Sequence, residues 1–321
     1  MAPSKGGAFL YYINISLGYV CIILVGRSYT LMGKNIRRDN IEDYWDLSRY
    51  DPNDTAAKLM TAAYDAGMRD VVMKNVKTNL MFCQKHGIHG VSELFGTWHD
   101  TDMLVVGAGP SATQDEVSRL SKGRMVVAVD NVLKRCEGAH YVVCMDAQPV
   151  VSEFIEDITP HQIAVIWIGC DPSVFERAYN NGARIYAYII VNADSALMCE
   201  IRDMAPKYMD GLRAFCVVGA MAVELAYWMG AKSITCIGNE LSWGSMGHVS
   251  KGYVESGGVY PVKDFDGYTV FTIKAFEYAA LHLDDYAEMY HEVEWRDESE
   301  GLLRWNEIQK KRNEASKIIN V

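Results

Sequence analysis

From residue 103 onward the chain alternates two patterns. Short continuous apolar runs are followed by longer stretches in which apolar residues recur every three or four positions. The first pattern is that of strands covered on both faces, the second that of helices laid against them. The runs predict strands at 103–106, 125–129, 141–145, 163–168, 184–191 and 233–237. The periodic stretches predict helices at 112–121, 149–157, 172–181, 194–205 and 215–229. Regular strand–helix alternation implies a parallel sheet joined by right-handed crossovers. The fold class is therefore α/β, doubly wound and mostly parallel, with a helical N-terminal region and C-terminal helices.

The pattern changes outside that block. Residues 36–98 read as helical and polar-faced. One helix starts after Asp54-Thr55 and closes near Gly67; a second runs from Val71 to Lys85 and closes at Gly87. After 238 comes a glycine- and serine-rich loop to about 258, a short β-like stretch, and a helix from Thr272 to His291. The charged tail from Trp295 to Val321 reads as helical. The expected organisation is an apolar segment over 1–31, a helical accessory region over 32–100, an α/β domain over 101–291 and a charged helical tail over 292–321.

The first segment admits three readings. Ala8 to Val25 is apolar and close to the roughly 20 residues of a membrane span, and Arg27, Lys34, Arg37 and Arg38 after it would leave the main body cytoplasmic. It also fits a buried hairpin turning at Leu17-Gly18. Or Gly26-Arg27-Ser28 is the translation of a purine-rich ribosome-binding sequence, with Met32 the natural start. A cytoplasmic location is expected under each, with membrane attachment only through residues 8–25.

Composition narrows the function classes. The chain of 321 residues is 50% hydrophobic and 22% charged, ordinary for a globular protein. A net charge of −10 argues against a broad nucleic-acid surface. The 8 cysteines form no C-x-x-C pair, and most lie in apolar runs, as small buried hydrophobes of a reducing compartment do.

Candidate chemistry collects where strands end, because open α/β sheets bind ligands beyond the carboxyl ends of their strands. Leu104-Val105-Val106 stops at Gly107-Ala108-Gly109-Pro110-Ser111-Ala112, a glycine-rich turn before a helix and a natural phosphate cradle. Gly107, Gly109, Pro110 and Ser111 are its candidate ligand residues; the alternative is a tight turn that binds nothing. Asp130 and Asn131 end the next strand, and Asp146 follows Val142-Val143-Cys144-Met145. An acid there serves ribose hydroxyls or Mg²⁺, or else caps a helix. Gly238-Asn239-Glu240-Leu241-Ser242 and Gly247-His248 form a polar loop after another strand. His248 is the candidate general base or phosphate partner, against the alternative of a solvated loop histidine. Val217-Val218-Gly219-Ala220 opens a helix with small residues, for a phosphate or base, or for close helix–sheet packing.

Two family patterns overlap these residues. Val105 to Ala112 looks like the Rossmann-type flavin or NAD fingerprint, with Ala112 in the third glycine's place and Asp130 spaced for a ribose. Asp115 and Glu116, however, put acids where a pyrophosphate would sit. The second pattern spans about 100 to 290. It comprises Gly107-x-Gly109-Pro110-Ser111, the strand ending at Asp146, Ala226-x-x-x-Gly230-Ala231-Lys232-Ser233-Ile234, Ile237-Gly238-x-x-Leu241, the Gly-His pair, and Val262-x-Asp264-x-x-Gly267-x-x-Val270-x-Thr272 before a helix. This order resembles the family that joins archaeal 6-hydroxymethylpterin diphosphokinases to motility accessory factors thought to be flagellin glycosyltransferases. That family usually has Asp before the leucine; Glu240 keeps the charge with a longer reach.

The resemblance implies a transferase that takes a group from a nucleotide donor, either a nucleotide sugar or ATP, with Mg²⁺ in the diphosphokinase branch. The acceptor would be a hydroxyl on a small molecule or a protein. Residues 264–272 look more like the motility branch, whose transferred group is an acidic nine-carbon sugar. Asp146 and Glu240 are then expected to contact metal or acceptor, and His248 to act as base. Asn131, Gly219, Gly238 and Asn239 join the glycine loop and Asp130 around the nucleotide. A flavin or NAD oxidoreductase and a non-catalytic nucleotide-binding module are the remaining alternatives.

Overall fold

The computed structural model of the chain describes residues 10–15, 18–23, 55–191, 195–213, 217–242, 260–263, 269–272, 274–299 and 301–319. Its centre is a parallel sheet built from β3 (His89–Gly90), β4 (Thr101–Val106), β5 (Met125–Val129), β6 (Tyr141–Cys144), β7 (Ile163–Trp167), β8 (Arg184–Val191), β9 (Gly211–Arg213), β10 (Ala231–Ile237) and β13 (Glu294–Asp297). Eight strands follow the order β13-β10-β4-β5-β6-β7-β8-β3, and β9 pairs with the upper part of β8, at Ile189–Val191. Strands β4 to β8 step outward in sequence order. The chain then returns to place β10 on the other side of β4. The strand order therefore reverses at β4, and a crevice opens there above the strand ends.

The strands predicted from the apolar runs are present, because those residues are buried on both faces. Met103 to Val106, Val142 to Cys144 and Ala164 to Ile166 are wholly inaccessible. The helices on the faces are α1 (Thr55–His86), α2 (Gln114–Leu120), α3 (Val151–Phe154), α4 (Pro172–Asn180), α5 (Ala196–Met204), α6 (Val218–Met229), α7 (Lys274–Met289) and α8 (Trp305–Ile319). From Gly219 to Met229 every residue of α6 is buried. Such a helix, buried all round, is sandwiched within the molecule.

Four local expectations are corrected. Gly67 does not end a helix: α1 runs unbroken for 32 residues. A mid-helix glycine costs about 1 kcal/mol, which packing of the rest of α1 outweighs. Asn75 and Asn79, one turn apart, donate their amides to the carbonyls of Ala147, Gly169, Ile168 and Cys170 and so fasten α1 over the loops that follow β6 and β7. The 36–98 region is not wholly helical, since His89 and Gly90 pair with Tyr186 and Ala187 as a sheet strand. The 149–157 helix shrinks to the single turn α3. The charged tail is not one helix either. Glu294–Asp297 alternates exposed and buried residues and adds a parallel edge strand beside β10, and Trp295 stacks edge-on against Trp305 of α8, with centroids 4.9 Å apart.

Near the N-terminus, β1 (Leu10–Ile15) pairs antiparallel with β2 (Gly18–Ile23), with Ile15 opposite Gly18. The region from 24 to 54, including Met32, lies outside the described residues. A second small antiparallel pair joins β11 (Tyr260–Lys263) to β12 (Thr269–Thr272). Among the described residues no helix is long and apolar enough to cross a membrane.

The unbroken α1 yields a direct test. Gly67 is exposed, and a Cβ added to it would meet nothing within 4 Å. Gly67→Ala is expected to raise unfolding stability by about 0.5–1 kcal/mol, measured by chemical denaturation. Destabilisation would show that the helix breaks at this position.

Candidate functional site

The loops after β4 and β10 meet above the sheet at very short range. Gly107 donates its N–H to Ile237 O at 2.8 Å, and Gly109 donates to Gly238 O at 2.9 Å. A Cβ on Gly107 would lie 2.2 Å from Gly238 O. One on Gly238 would lie 2.4 Å from Gly107 O, and Gly238 also has a φ of +73°. Neither position admits a side chain, so the two glycines let two backbones share one space.

Side chains complete the joint. Ser111 Oγ accepts the N–H of Gly238 at 2.9 Å, and Glu240 Oε1 accepts the N–H of Ser111 at 2.7 Å. Arg135, on the 3-10 turn after β5, donates to Ala108 O at 2.7 Å and Ala112 O at 3.2 Å, with a longer bond to Gly109 O at 3.4 Å. The loop's carbonyls thus face a cation while its N–H groups face the β10 loop and a carboxylate. Asn239 is held by its own N–H, which donates to Ser299 Oγ at 3.1 Å.

The joined loops form one wall of a cavity of about 500 Å³, a volume typical of small-molecule sites. Gly107 to Pro110, Val129 and Asn131, Val217 to Gly219, Gly238 to Ser242 and Phe276 line it. Of the candidates from sequence, Gly107, Gly109, Pro110, Asn131, Gly219, Gly238, Asn239 and Glu240 come together here. Most of the remaining wall is apolar.

Other candidates are placed elsewhere. Ser111 stands behind the wall as part of the joint. Asp130 is buried beneath it, since side chains alternate about the end of β5: Val129 and Asn131 face the cavity and Asp130 does not. Its carboxylate accepts the N–H of Asn131 at 2.7 Å, and burial pushes its pKa up to about 7, with the nearby charge of Asp146 adding to the rise. Asp130 therefore does not serve a ribose in the cavity. Asp146 is exposed after β6, accepts the N–H of Gln148 at 2.9 Å, and sits in a recess whose desolvation raises its pKa. The ends of β6 and β10 are three strand spacings apart, about 14 Å at the usual 4.8 Å. Asp146 and Glu240 are thus not brought together as ligands of one Mg²⁺. Among the described residues no three His, Cys, Asp or Glu side chains form a metal-binding group. His248, Asp264 and Gly267 lie outside the described residues.

Three members of the site were missed from sequence. Ser242 lies in the loop after β10, and a loop serine carries no local signal of its own. Phe276 comes from α7, far along the chain. Arg135 sits six residues past a strand end that faces the crevice, a location that could have marked it.

These features can be set beside known proteins. Residues 73–245, more than half of the chain, match the family described as 6-hydroxymethylpterin diphosphokinase MptE-like. The chain belongs to the MptE-like family. No curated protein matches it significantly. Among solved structures it is similar to the MAf glycosyltransferase from Magnetospirillum magneticum AMB-1, at 12% identity and a TM-score of 0.50. That likeness covers 85% of this chain and 46% of the other, so this MptE-like protein spans about half the length of its structural neighbour, and what is shared is the fold.

The acids behind the cavity give this MptE-like chain a characteristic pH response. Asp297, at the end of β13, is buried; desolvation raises its pKa to about 8, and the charge of Glu240 contributes. Its carboxylate accepts the N–H of Ser299, the residue that holds Asn239. Between the unfolded value near 4 and about 8, the native state keeps a proton that the unfolded chain has lost. Asp297 therefore contributes stability that is complete at low pH and is lost as pH rises through that window. Wild-type stability relative to Asp297→Asn is expected to fall steadily from pH 4 to pH 8 in denaturation curves. A difference that does not change with pH would refute the assignment.

Proposed function

We propose that the protein is a nucleotide-dependent transferase that moves a sugar from a nucleotide-sugar donor to a hydroxyl acceptor. The observation that carries this reading is the cavity at the strand-order reversal, where the glycine loop, Asn131, the start of α6 and the β10 loop converge. Apolar surface from Val129, Val217, Leu241 and Phe276 suits a nucleoside, and Asn131 and Asn239 supply polar contacts to orient it. Family membership and the likeness to a glycosyltransferase fold support transfer chemistry. The motility-branch motif is also consistent with the packing. Thr272, the last residue of that motif, is fully buried and donates its hydroxyl to Leu241 O at 2.7 Å, so the motif meets the β10 loop beside the cavity.

In such a reaction the acceptor hydroxyl attacks the anomeric carbon, the bond to the nucleotide phosphate breaks, and a base takes the hydroxyl proton. His248 is our candidate for that base. Glu240 acts through the loop it holds. Pyrophosphate transfer from ATP to a pterin alcohol is the second reading, supported by the family's description. The buried position of Asp130 speaks against the dinucleotide-binding alternative.

A thermal-shift panel on the full chain separates these readings, with ATP with and without Mg²⁺, CMP, a CMP-linked acidic sugar, UDP-sugars, NAD and FAD. A ligand at 100 times its dissociation constant adds about 2.7 kcal/mol of stability. Stabilisation by CMP or a nucleotide sugar, weakened about tenfold in affinity by Asn131→Ala, is the expected result. Stabilisation by Mg-ATP alone would favour pyrophosphate transfer, and NAD or FAD alone would overturn both readings. With donor and acceptor in hand, His248→Ala is expected to lower turnover by at least about 100-fold. Full turnover in that variant would remove His248 from the mechanism, and binding with no turnover by the wild type would point to a binding module.

A further inference from the structure

We propose that the ligand's phosphate seats on the first turn of α6, beside Asn239 and Ser242, and that the glycine loop holds Glu240 in place of a phosphate. The inference rests on the nucleotide-site reading and reassigns where in that site the anion goes.

Most of the glycine loop is already engaged, the N–H of Ala108 being the exception among the described bonds. The N–H groups of Gly107, Gly109, Ser111, Ala112 and Thr113 donate to Ile237 O, Gly238 O, Glu240 Oε1, Gly109 O and Ser111 O respectively. Pro110 has no N–H to offer. A Cβ on Gly109 would fall 1.6 Å from Glu240 Oε2, so the carboxylate rests directly on the loop. Glu240 is itself 5% exposed and further fastened through its carbonyl, which accepts the N–H of Leu302 at 3.0 Å. The loop thus binds an anion, but that anion belongs to the protein. A phosphate placed there would meet a carboxylate.

The start of α6 has the opposite character. This 12-residue helix has no side-chain cap and no acid in its first turn. Ala220 and Met221 donate back to Val217 O, while the N–H groups of Val218 and Gly219 precede the first helical bond and have no partner within the helix. Both residues line the cavity. A second observation points to the same place. Asn239 and Ser242 also line the cavity and are 5% and 7% exposed, and Asn239 Nδ2 and Ser242 Oγ are buried there without a hydrogen-bond partner. The Asn239 side chain also interacts with the Cys236 thiol, a weak acceptor, and that contact leaves the amide without a geometrically formed hydrogen bond. Buried donors left unpaired are rare in native proteins, and an absent water or ion is one explanation for them. Asn239 and the helix start are in close contact, since a Cβ on Gly219 would lie 2.0 Å from Asn239 Oδ1. Two backbone donors, an amide and a hydroxyl therefore share one corner, at the positive end of a helix.

Inorganic pyrophosphate tests the corner without knowledge of the nucleotide. Its affinity for the full chain can be titrated by phosphorus NMR, beside cytidine, uridine and adenosine as phosphate-free probes. Val218→Asp puts a negative charge in the first turn of α6, where it also favours the helix. It should fold and weaken pyrophosphate binding at least tenfold. Ser242→Ala is neutral, so only an anion in contact with the hydroxyl feels it, and it should weaken binding about fivefold. Each variant should weaken pyrophosphate binding by a larger factor than it changes nucleoside binding. No pyrophosphate binding by the wild type, or unchanged affinity in either variant, overturns the proposal. A wild type that binds pyrophosphate at this corner but no nucleotide sinks the functional reading and leaves the anion site standing.

Discussion

The structure depends on two backbones being allowed to touch. Gly107 and Gly238 end neighbouring strands on either side of the strand-order reversal, and each approaches the other's carbonyl to a distance that no Cβ could survive. This contact converts a topological crevice into a closed wall. Without it the β4 and β10 loops would stand apart, as steric exclusion would force them to. Neither Ser111 nor Glu240 could then reach across the roughly 130 residues of sequence between them. The carboxylate that closes the joint is held by a backbone N–H, and a charge-assisted bond of this kind is about twice as strong as a neutral one.

The polarity of the glycine loop follows from what lies on its two sides. Arg135 gathers carbonyls on one side and Glu240 takes an N–H on the other, so the peptide dipoles between them are aligned by opposite charges. An array of this kind is rigid because every rotation that frees one group strands another. It is also neutral overall, which removes the usual attraction of a glycine-rich turn for phosphate. The first turn of α6 keeps that attraction because, among the described residues, no side chain caps it and no acid stands in it. In this chain the phosphate-binding signature and the helix start that retains phosphate-binding capacity are different segments on the same cavity.

Legibility in the sequence follows the range of the interactions. The strands β4 to β8 and β10 were readable because a strand buried on both faces must be apolar throughout, a demand that appears residue by residue. The edge strand β13 was not, since Glu294-Trp295-Arg296-Asp297 carries two apolar-facing and two solvent-facing positions inside a charged tail. The strands β3 and β9 have two and three residues, too few to establish a period. At the site, the glycines, Asn131 and Asn239 were legible because strand ends and small residues mark a crevice locally. The roles of Ser111, Glu240 and Arg135 were not, because each is defined by a partner distant in sequence. Asp130 shows the same limit on the smallest scale: one step in the alternation of side chains separates a cavity residue from a buried acid.

The buried acids share a logic with the joint they surround. Asp297, Asp130 and Glu224 are each raised to neutrality or above by desolvation. Glu224 accepts bonds from the Arg213 N–H, Trp228 Nε1 and Tyr286 Oη, tying the end of β9 to α6 and α7. Those elements bring Val217 to Gly219 and Phe276 to the cavity. Asp297 fixes Ser299, which fixes Asn239. In both cases a carboxyl with no water around it orders backbone and side-chain donors that would otherwise be free to rotate. An apolar residue could fill the same volume at lower desolvation cost, but it would not set the direction of an N–H. Desolvated acids at these positions are therefore explained better by orientation than by stability. The parts they orient are the two walls, the β10 loop and the start of α6, between which a phosphate would have to fit.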